Sequence, residues 1–439
     1  MWKYSGGGVF STSLPTNLAF SLTNPFGGIS LLFYKSKATT RLLLLCVIML
    51  MMQGWAMPQA SAATSQDSTH FVTASLMVIS PGSEIYSVFG HCVLHMQCPS
   101  KDLDYVYTFE TEPNYLKFFA GKSKACFVAV PTQEFLQQYK TEGRGVTEYA
   151  LNLTPHEKQE LWRALDKDME EGPNRRFTML KSNCVSMSLF MVEQVLEKRY
   201  IDFSPNNWLL RMGNARVLHS CLRHSPWADF IFFTFLGSEA DKCWTVEELL
   251  SPATVGPCLQ SDHIVSTGGH QRWPVICGKP HLLSKARPMV ARSWFTPNVF
   301  ALLLLLLIVG ISICGHMCHQ NRMLFVTDAF FFLLQTIIGC TLLYVSVVSC
   351  LFGRGWNWYL IPFNPLPLVV WLCFRHRPQY NNVYAVYALI LLMFILVTPF
   401  ITCQVDAAHL LIVAALMVRC ADRYYNGRKE QINMISTNK

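Results

Sequence analysis

Residues 85–96 read IYSVFGHCVLHM. Apolar, β-branched and aromatic residues dominate the stretch and predict a strand of a packed sheet. It nevertheless carries two histidines, His91 and His95. They share a parity, so both point to the same face of the sheet. They also lie about 13 Å apart along a strand, too far for a direct pair. A histidine in a half-buried strand is costly unless another group uses it. The stretch therefore asks for a partner elsewhere in the chain.

Of the 439 residues, 51% are hydrophobic and only 15% are charged. Ordinary soluble domains carry about 25% charged residues. The apolar excess is concentrated in the last third. The net charge of +8 is not arranged as a dense Lys/Arg stripe, which argues against a nucleic-acid partner. Loops and tails beside a membrane suit it better.

Four regions follow from composition. Residues 1–62 hold a Gly/Ser/Thr/Asn-rich extension, then a basic segment with Lys35, Lys37 and Arg41, an apolar run Leu42–Met52 and the small-residue site Ala60-Ser61-Ala62. That order is the pattern of an export signal or an N-terminal anchor. Residues 63–290 have mixed polarity and no run long enough to span a bilayer, and are expected to form an exported globular domain. Its tail, 205–290, reads as loops and short helices on or beside the membrane. Residues 291–425 contain apolar segments at about 298–315, 326–352, 361–374, 383–402 and 405–421. The third is short and carries Pro362, Pro365 and Pro367, so it suits a broken or re-entrant helix. Residues 426–439 form a tail. With the globular domain outside, Arg322, Arg375, Arg377, Arg419, Arg423, Arg428 and Lys429 fall on the cytoplasmic side. The outer loops then hold only Arg354, as the positive-inside rule requires.

Two helices stand out in the exported region. TPHEKQELWRALDKDME has Thr154 as N-cap, Pro155 at the first helical position and Glu157 at the third. The second starts near Ser182 and runs CVSMSLFMVEQVLEKR. Eight of the sixteen cysteines lie in the exported region, where disulfides are permitted. Cys221 with Cys243 and Cys258 with Cys277 are neighbours in sequence, but spacing does not decide pairing. The region has no CxxC pair, no structural zinc site is expected, and the sequence shows no metal or cofactor requirement.

The second helix supplies the partner. Ser182 and Asn183 are cap residues, and Cys184 opens the helix. Free N–H groups and the macrodipole at a helix N-terminus favour a thiolate. An imidazole beside it relays the proton. Each residue also has an ordinary reading, the cysteine as small apolar filler and the histidine as a bonded core residue.

SPGSEIYSVFGHCVLHM, DYVYTFE, FFAGK, GRGVTEYALNLTPHEKQELWRAL and NCVSMS together resemble the exported domain of the Lnb-type lipoprotein N-acyltransferases. The resemblance covers residues 70–200 and reaches the membrane part through PFNPLP. It implies an α+β exported domain of circularly permuted papain-like type, with the His strand before the Cys helix, followed by an α-helical membrane domain. It also implies Cys184 as nucleophile and His91 as general base. The chain departs from the family at Cys92, where a small polar residue is usual, and at His95, where a basic residue, usually Arg, is common. Thr108-Phe109-Glu110 stands where an Asn-Tyr-Gly-like pattern is commoner. The group that orients His91 therefore stays open among Glu84, Asp104 and Thr108, with Asn183 and His95 as further supporting residues. The implied reaction moves a fatty acyl chain from a membrane phospholipid to diacylated lipoproteins in the bacterial inner membrane. A membrane-anchored Cys/His hydrolase of peptidoglycan or esters, and a non-catalytic membrane scaffold, are the alternatives.

Overall fold

The computed structural model describes residues 72–84, 86–112, 114–203, 214–242, 245, 250–287, 294–349, 351–374 and 378–437. The expected extension and signal segment, 1–62, lie outside the described residues, as do Cys243, Arg375 and Arg377.

In chain order the strands are β1 (Thr73–Ile79), β2 (His91–Cys98), β3 (Leu103–Thr111), β4 (Lys124–Pro131), β5 (Val146–Ala150), β6 (Arg175–Arg176), β7 (Arg199–Asp202), β8 (His263–Ser266), β9 (Arg272–Pro274) and β10 (His281–Ser284). Seven of them form one antiparallel sheet in the order β10-β5-β1-β2-β3-β4-β6, and β7-β8-β9 form a small second sheet. The helices of the exported part are α1 (Tyr115–Phe119), α2 (Thr132–Glu142), α3 (Pro155–Glu171), α4 (Cys184–Gln194), α5 (Asn214–Leu222), α6 (Pro226–Leu236) and α7 (Pro252–Ser261).

β2 is the central strand, and this explains its near-continuous apolar reading. Cys92, Leu94 and Met96 face a large core shared with Leu161 and Leu165 of α3 and Val185 and Leu189 of α4. Val93 faces the other way, into a smaller core with Met77, Ile79, Val106, Phe135 and Tyr139. Both faces are covered, so polar residues on β2 need partners. The strand begins only at His91; residues 86–89 form a turn. Gly90 ends that turn with φ +86, and a Cβ there would lie 2.5 Å from the Ile79 carbonyl oxygen. The expected strand over 85–96 is thus halved by a backbone state that glycine alone adopts cheaply.

α3 has the expected capping box: Glu157 N–H donates to Thr154 Oγ1, and Thr154 N–H donates to Glu157 Oε2. α4 has a second one, built from Asn183 and Ser186. It ends at Gln194, earlier than the apolar pattern suggested, because Arg199 already pairs with Ser266 in the small sheet. Cys221 and Cys277 are free thiols, and Cys243, the other half of the first candidate pair, lies outside the described residues. Cys258 is buried inside α7, and Cys277 is exposed.

The membrane part contains α8 (Pro297–Met317), α9 (Asn321–Tyr344), α10 (Leu366–Phe374), α11 (Asn382–Ile401) and α12 (Ala407–Thr437). Among the described residues three helices are long and apolar enough to cross a membrane: α8, α9 with its π-helical extension to Ser349, and α11. The third apolar segment is the short α10, about 14 Å long against a hydrocarbon core of about 30 Å. The irregular backbone before it is satisfied from within. Gln335 Nε2 donates to the carbonyls of Pro362 (2.9 Å) and Asn364 (3.2 Å), and Tyr387 Oη donates to Pro362 O (2.7 Å). Gly339 makes room for this, since a Cβ would collide with the Phe363 carbonyl. Non-helical backbone at this depth is tolerated only where protein satisfies it. Arg419, one of the cations expected on the cytoplasmic side, is fully buried against Asp328, Ser312 and Asp422.

α6 joins the two parts. Phe232, Phe233 and Leu236 belong to the exported core. On its other side, Phe230 stacks on His409 of α12 (4.2 Å), and Thr234 Oγ1 lies 2.8 Å from His409 Nε2. The tail of the exported region, expected beside the membrane, supplies this seam. The chain from Gln66 to Lys439 forms one compact unit.

Candidate active site

Cys184 is the first residue of α4. Asn183 caps the helix by accepting from the N–H groups of Val185 (2.9 Å) and Ser186 (3.0 Å), and its Nδ2 donates to Met179 O (3.0 Å). Asn183 therefore fixes where the cysteine begins. The sulfur faces three backbone amides, those of Cys92, Val185 and Cys184 itself. Cys92 is the residue after His91, and β2 pairs with β3 only from Val93 onward. The amide of Cys92 thus stands where the two strands splay, and it meets the thiol there. Burial pushes the Cys184 thiol up to about 11, against the opposing pull of these amides and of the Arg144 guanidinium. Cys184 and His91 both retain part of their surface.

The His91 Nε2 atom is hydrogen bonded to Thr108 Oγ1 at 2.7 Å. Its Nδ1 has no hydrogen-bond partner among the described residues, and no hydrogen bond joins His91 to Cys184. Burial and the nearby Arg144 charge lower the His91 pKa to about 3. Thiol and imidazole are accordingly both neutral at pH 7.

Of Glu84, Asp104 and Thr108, it is Thr108 that is hydrogen bonded to His91. Asp104 instead lies 2.7 Å from His95 Nε2, and Glu148 Oε1 lies 2.6 Å from His95 Nδ1. Ser75 completes that cluster through a bond to Glu148. Glu84 is exposed, and its carbonyl accepts from Ser87 in the preceding turn. The separation of the two histidines follows from β-strand geometry, and each has its own partners. His95 sits between two carboxylates, and their hydrogen bonds outweigh burial to raise its pKa.

Arg144 was not among the sequence candidates. It is 7% exposed, its Nε donates to Ser80 O (2.8 Å), and its guanidinium lies over the Tyr139 ring at 4.7 Å. Ser80 follows Ile79, which pairs with His91, so the guanidinium is held at the His91 end of the sheet. Its Nη2 is buried with no hydrogen-bond partner among the described residues. The sequence signal was the GRG triplet at 143–145, an arginine between two glycines in a stretch heading for a strand.

The loop after α9 reaches this region. Met179 N–H donates to Leu351 O (2.9 Å), and Phe352 packs on Phe232 (5.4 Å). Trp356, Trp358 and Tyr359 follow in the same loop; Trp356 is exposed, and Tyr359 is fully buried against His409.

No curated protein and no solved structure matches the chain. Two family models do: the Lnb N-terminal periplasmic domain over residues 59–208 and the Lnb transmembrane domain over residues 290–430. The two stand in one chain, in the order of an antiparallel α+β domain followed by apolar helices. The chain belongs to the Lnb-type family and is a membrane protein with a periplasmic N-terminal part.

Proposed function

We propose that the protein is a lipoprotein N-acyltransferase in which Cys184 is the nucleophile and His91 the base. The observation that carries this reading is the placement of the Cys184 sulfur, at a helix N-terminus and against the amide next to His91, in a chain of the Lnb-type family. With the His91 proton on Nε2 and donated to Thr108, Nδ1 is the free base. As the sulfur attacks the ester carbonyl of a phospholipid acyl chain, its proton passes to Nδ1. A C–S bond forms, the ester C–O bond breaks, and the lysophospholipid leaves as an alcohol carrying that proton. The amides of Cys184 and Cys92 are the candidate donors to the oxyanion. In the second half the α-amine of an N-terminal S-diacylglyceryl-cysteine attacks the thioester. A C–N bond forms, the C–S bond breaks, and the amine proton returns to the sulfur through His91. The amide is more stable than the ester it replaces, so no ATP is needed.

The exported domain, residues 63–290, takes the role of a circularly permuted papain-like domain, in which the His strand precedes the Cys helix. Residues 291–425 are the membrane domain and 426–439 the cytoplasmic tail, in the bacterial inner membrane. Both substrates are lipids, which suits a catalytic domain seamed to its own membrane helices.

The test is mass spectrometry of one lipoprotein's N-terminal peptide from cells with the wild-type protein, with Cys184→Ser and with His91→Ala. One added acyl chain, present only with the wild type, is the expected result. The added chain persisting with Cys184→Ser would refute the nucleophile. Its absence from the wild type, together with free fatty acid release from phospholipid, would favour a hydrolase.

A further inference from the structure

His91 and Cys184 come from distant parts of the chain, and no hydrogen bond ties them together. What sets their spacing must hold the turn before β2 and the loop before α4 at once. Leu351 and Phe352, adjacent residues of the loop after α9, reach both: Leu351 bonds directly to the loop before α4, and Phe352 reaches the turn before β2 through Phe232.

On the histidine side, Phe89 is the first residue of the FGH triplet. Its ring meets Phe232 edge-on at 5.2 Å, and Phe232 meets Phe352 edge-on at 5.4 Å. Phe352 also stacks on Phe235 at 5.8 Å, so α6 grips it from two positions. On the cysteine side, the Leu351 carbonyl accepts from Met179 N–H at 2.9 Å. Met179 O in turn accepts from Asn183 Nδ2 at 3.0 Å, and Asn183 caps the helix that begins with Cys184. Leu351 is itself buried, and the preceding Ser349 is held by Arg176 and donates through Oγ to Phe119 O at 2.9 Å.

We propose that Leu351 and Phe352 are a strut, rooted in the membrane helix α9, that sets the position of Cys184 relative to His91. This rests on the dyad reading above and adds to it. Phe352 is a positioning residue acting through Phe232 and Phe89, and Leu351 acts through its carbonyl on the Asn183 cap. The site is then complete only while the exported domain is seated on its membrane helices. The thioester can form only at the bilayer, where both lipid substrates are present. An offset of about 1 Å between reacting groups costs about a hundredfold in rate, so an indirect contact of this kind carries weight.

The experiment uses the full chain in lipid nanodiscs containing phosphatidylethanolamine. Acyl-enzyme formation at Cys184 is followed by peptide mass spectrometry, and iodoacetamide labelling of Cys184 is measured from pH 6 to 10. The chains compared are wild type, His91→Ala, Phe352→Ala, Phe352→Leu, Phe89→Leu and Phe352→Leu with Phe89→Leu. Phe352→Ala is expected to slow acyl-enzyme formation about tenfold or more, with half-saturating phospholipid changed less than about twofold. It should also remove most of the His91-dependent part of the labelling profile. Phe352→Leu should recover most of the rate. The double variant should be non-additive, because both rings act through Phe232. A lower melting temperature with an unchanged acylation rate per folded protein would overturn the strut. So would additivity in the double variant, which is read even if Phe352→Ala does not fold. Wild-type labelling that ignores His91 would overturn the dyad instead, a separate outcome from failure of the strut.

Discussion

His91 Nε2 and Thr108 Oγ1 lie 2.7 Å apart, across the two central strands of the exported sheet. Thr108 is buried and sits opposite Val93, two places along from His91 on the same face. His95 makes the same diagonal reach to Asp104, since its direct partner is Val106. One register thus gives one histidine a hydroxyl and the other a carboxylate. A neutral hydroxyl holds the His91 ring without drawing a charge onto it, and Nδ1 has no hydrogen-bond partner among the described residues.

Thr108→Val removes the anchor of the ring while keeping its shape. A lost hydrogen bond of about 1 kcal/mol, together with freer ring rotation, predicts a fall of about tenfold in acyl transfer. Thr108→Ser should keep most of the activity. Equal activity in the valine and serine variants would show that the hydroxyl does not orient His91.

Burial raises the Cys184 thiol to about 11, while Arg144 pulls the other way. Alkylation of Cys184 should therefore keep climbing through pH 9 and 10. Arg144→Gln removes a favourable charge, so the thiol titrates higher still and labelling at a fixed pH of about 8 falls. A profile that levels off near pH 8, or faster labelling in Arg144→Gln, would contradict this electrostatic picture.

The cluster of Ser75, His95, Asp104 and Glu148 predicts a pH window for stability. Folding raises the His95 pKa above its ordinary 6.5, so its contribution is full below that value and is lost as pH rises through the folded pKa. Folding lowers the Glu148 pKa below its ordinary 4.5, because its bonds to His95 and Ser75 outweigh burial; its contribution is full above that value and is lost as pH falls through the folded pKa. The stability gap between wild type and His95→Gln should be widest between pH 4.5 and 6.5 and should narrow on either side. A gap independent of pH, measured by thermal melts in detergent, would mean that His95 acts by packing alone.

Arg419 is fully buried, with Nε donating to Asp328 Oδ1 at 3.0 Å and Nη1 to Ser312 Oγ at 2.7 Å. Asp328→Ala leaves much of that charge uncompensated and should destabilise the helices by about 3–5 kcal/mol. Asp328→Ala combined with Arg419→Met should recover much of the loss. A double variant no more stable than the single one, in reversible detergent unfolding, would show that the pair is not the origin of the effect.

The local features were legible because local chemistry causes them. Thr154, Pro155 and Glu157 announce α3, and Asn183 with Cys184 announces α4, since a cap is satisfied within one turn of chain. The apolar runs announce α8, α9 and α11 because length and composition suffice. His91 and Cys184 were visible as residue types able to do acyl transfer. Long-range geometry decided the rest. Thr108 rather than Asp104 reaches His91 because of the β2–β3 register, in which a slip of one residue turns every side chain to the other face. The strand starts at His91 because Gly90 needs space against Ile79 of another strand. The guanidinium of Arg144 comes to the His91 end of the sheet through the Ser80 carbonyl. Leu351 meets Met179 directly, and Phe352 is linked to Phe89 only through Phe232 of α6. By itself the sequence determined which groups are available and which segments coil, extend or enter a bilayer. Only tertiary structure decided which groups meet, because those contacts join residues whose spacing along the chain carries no periodic signal.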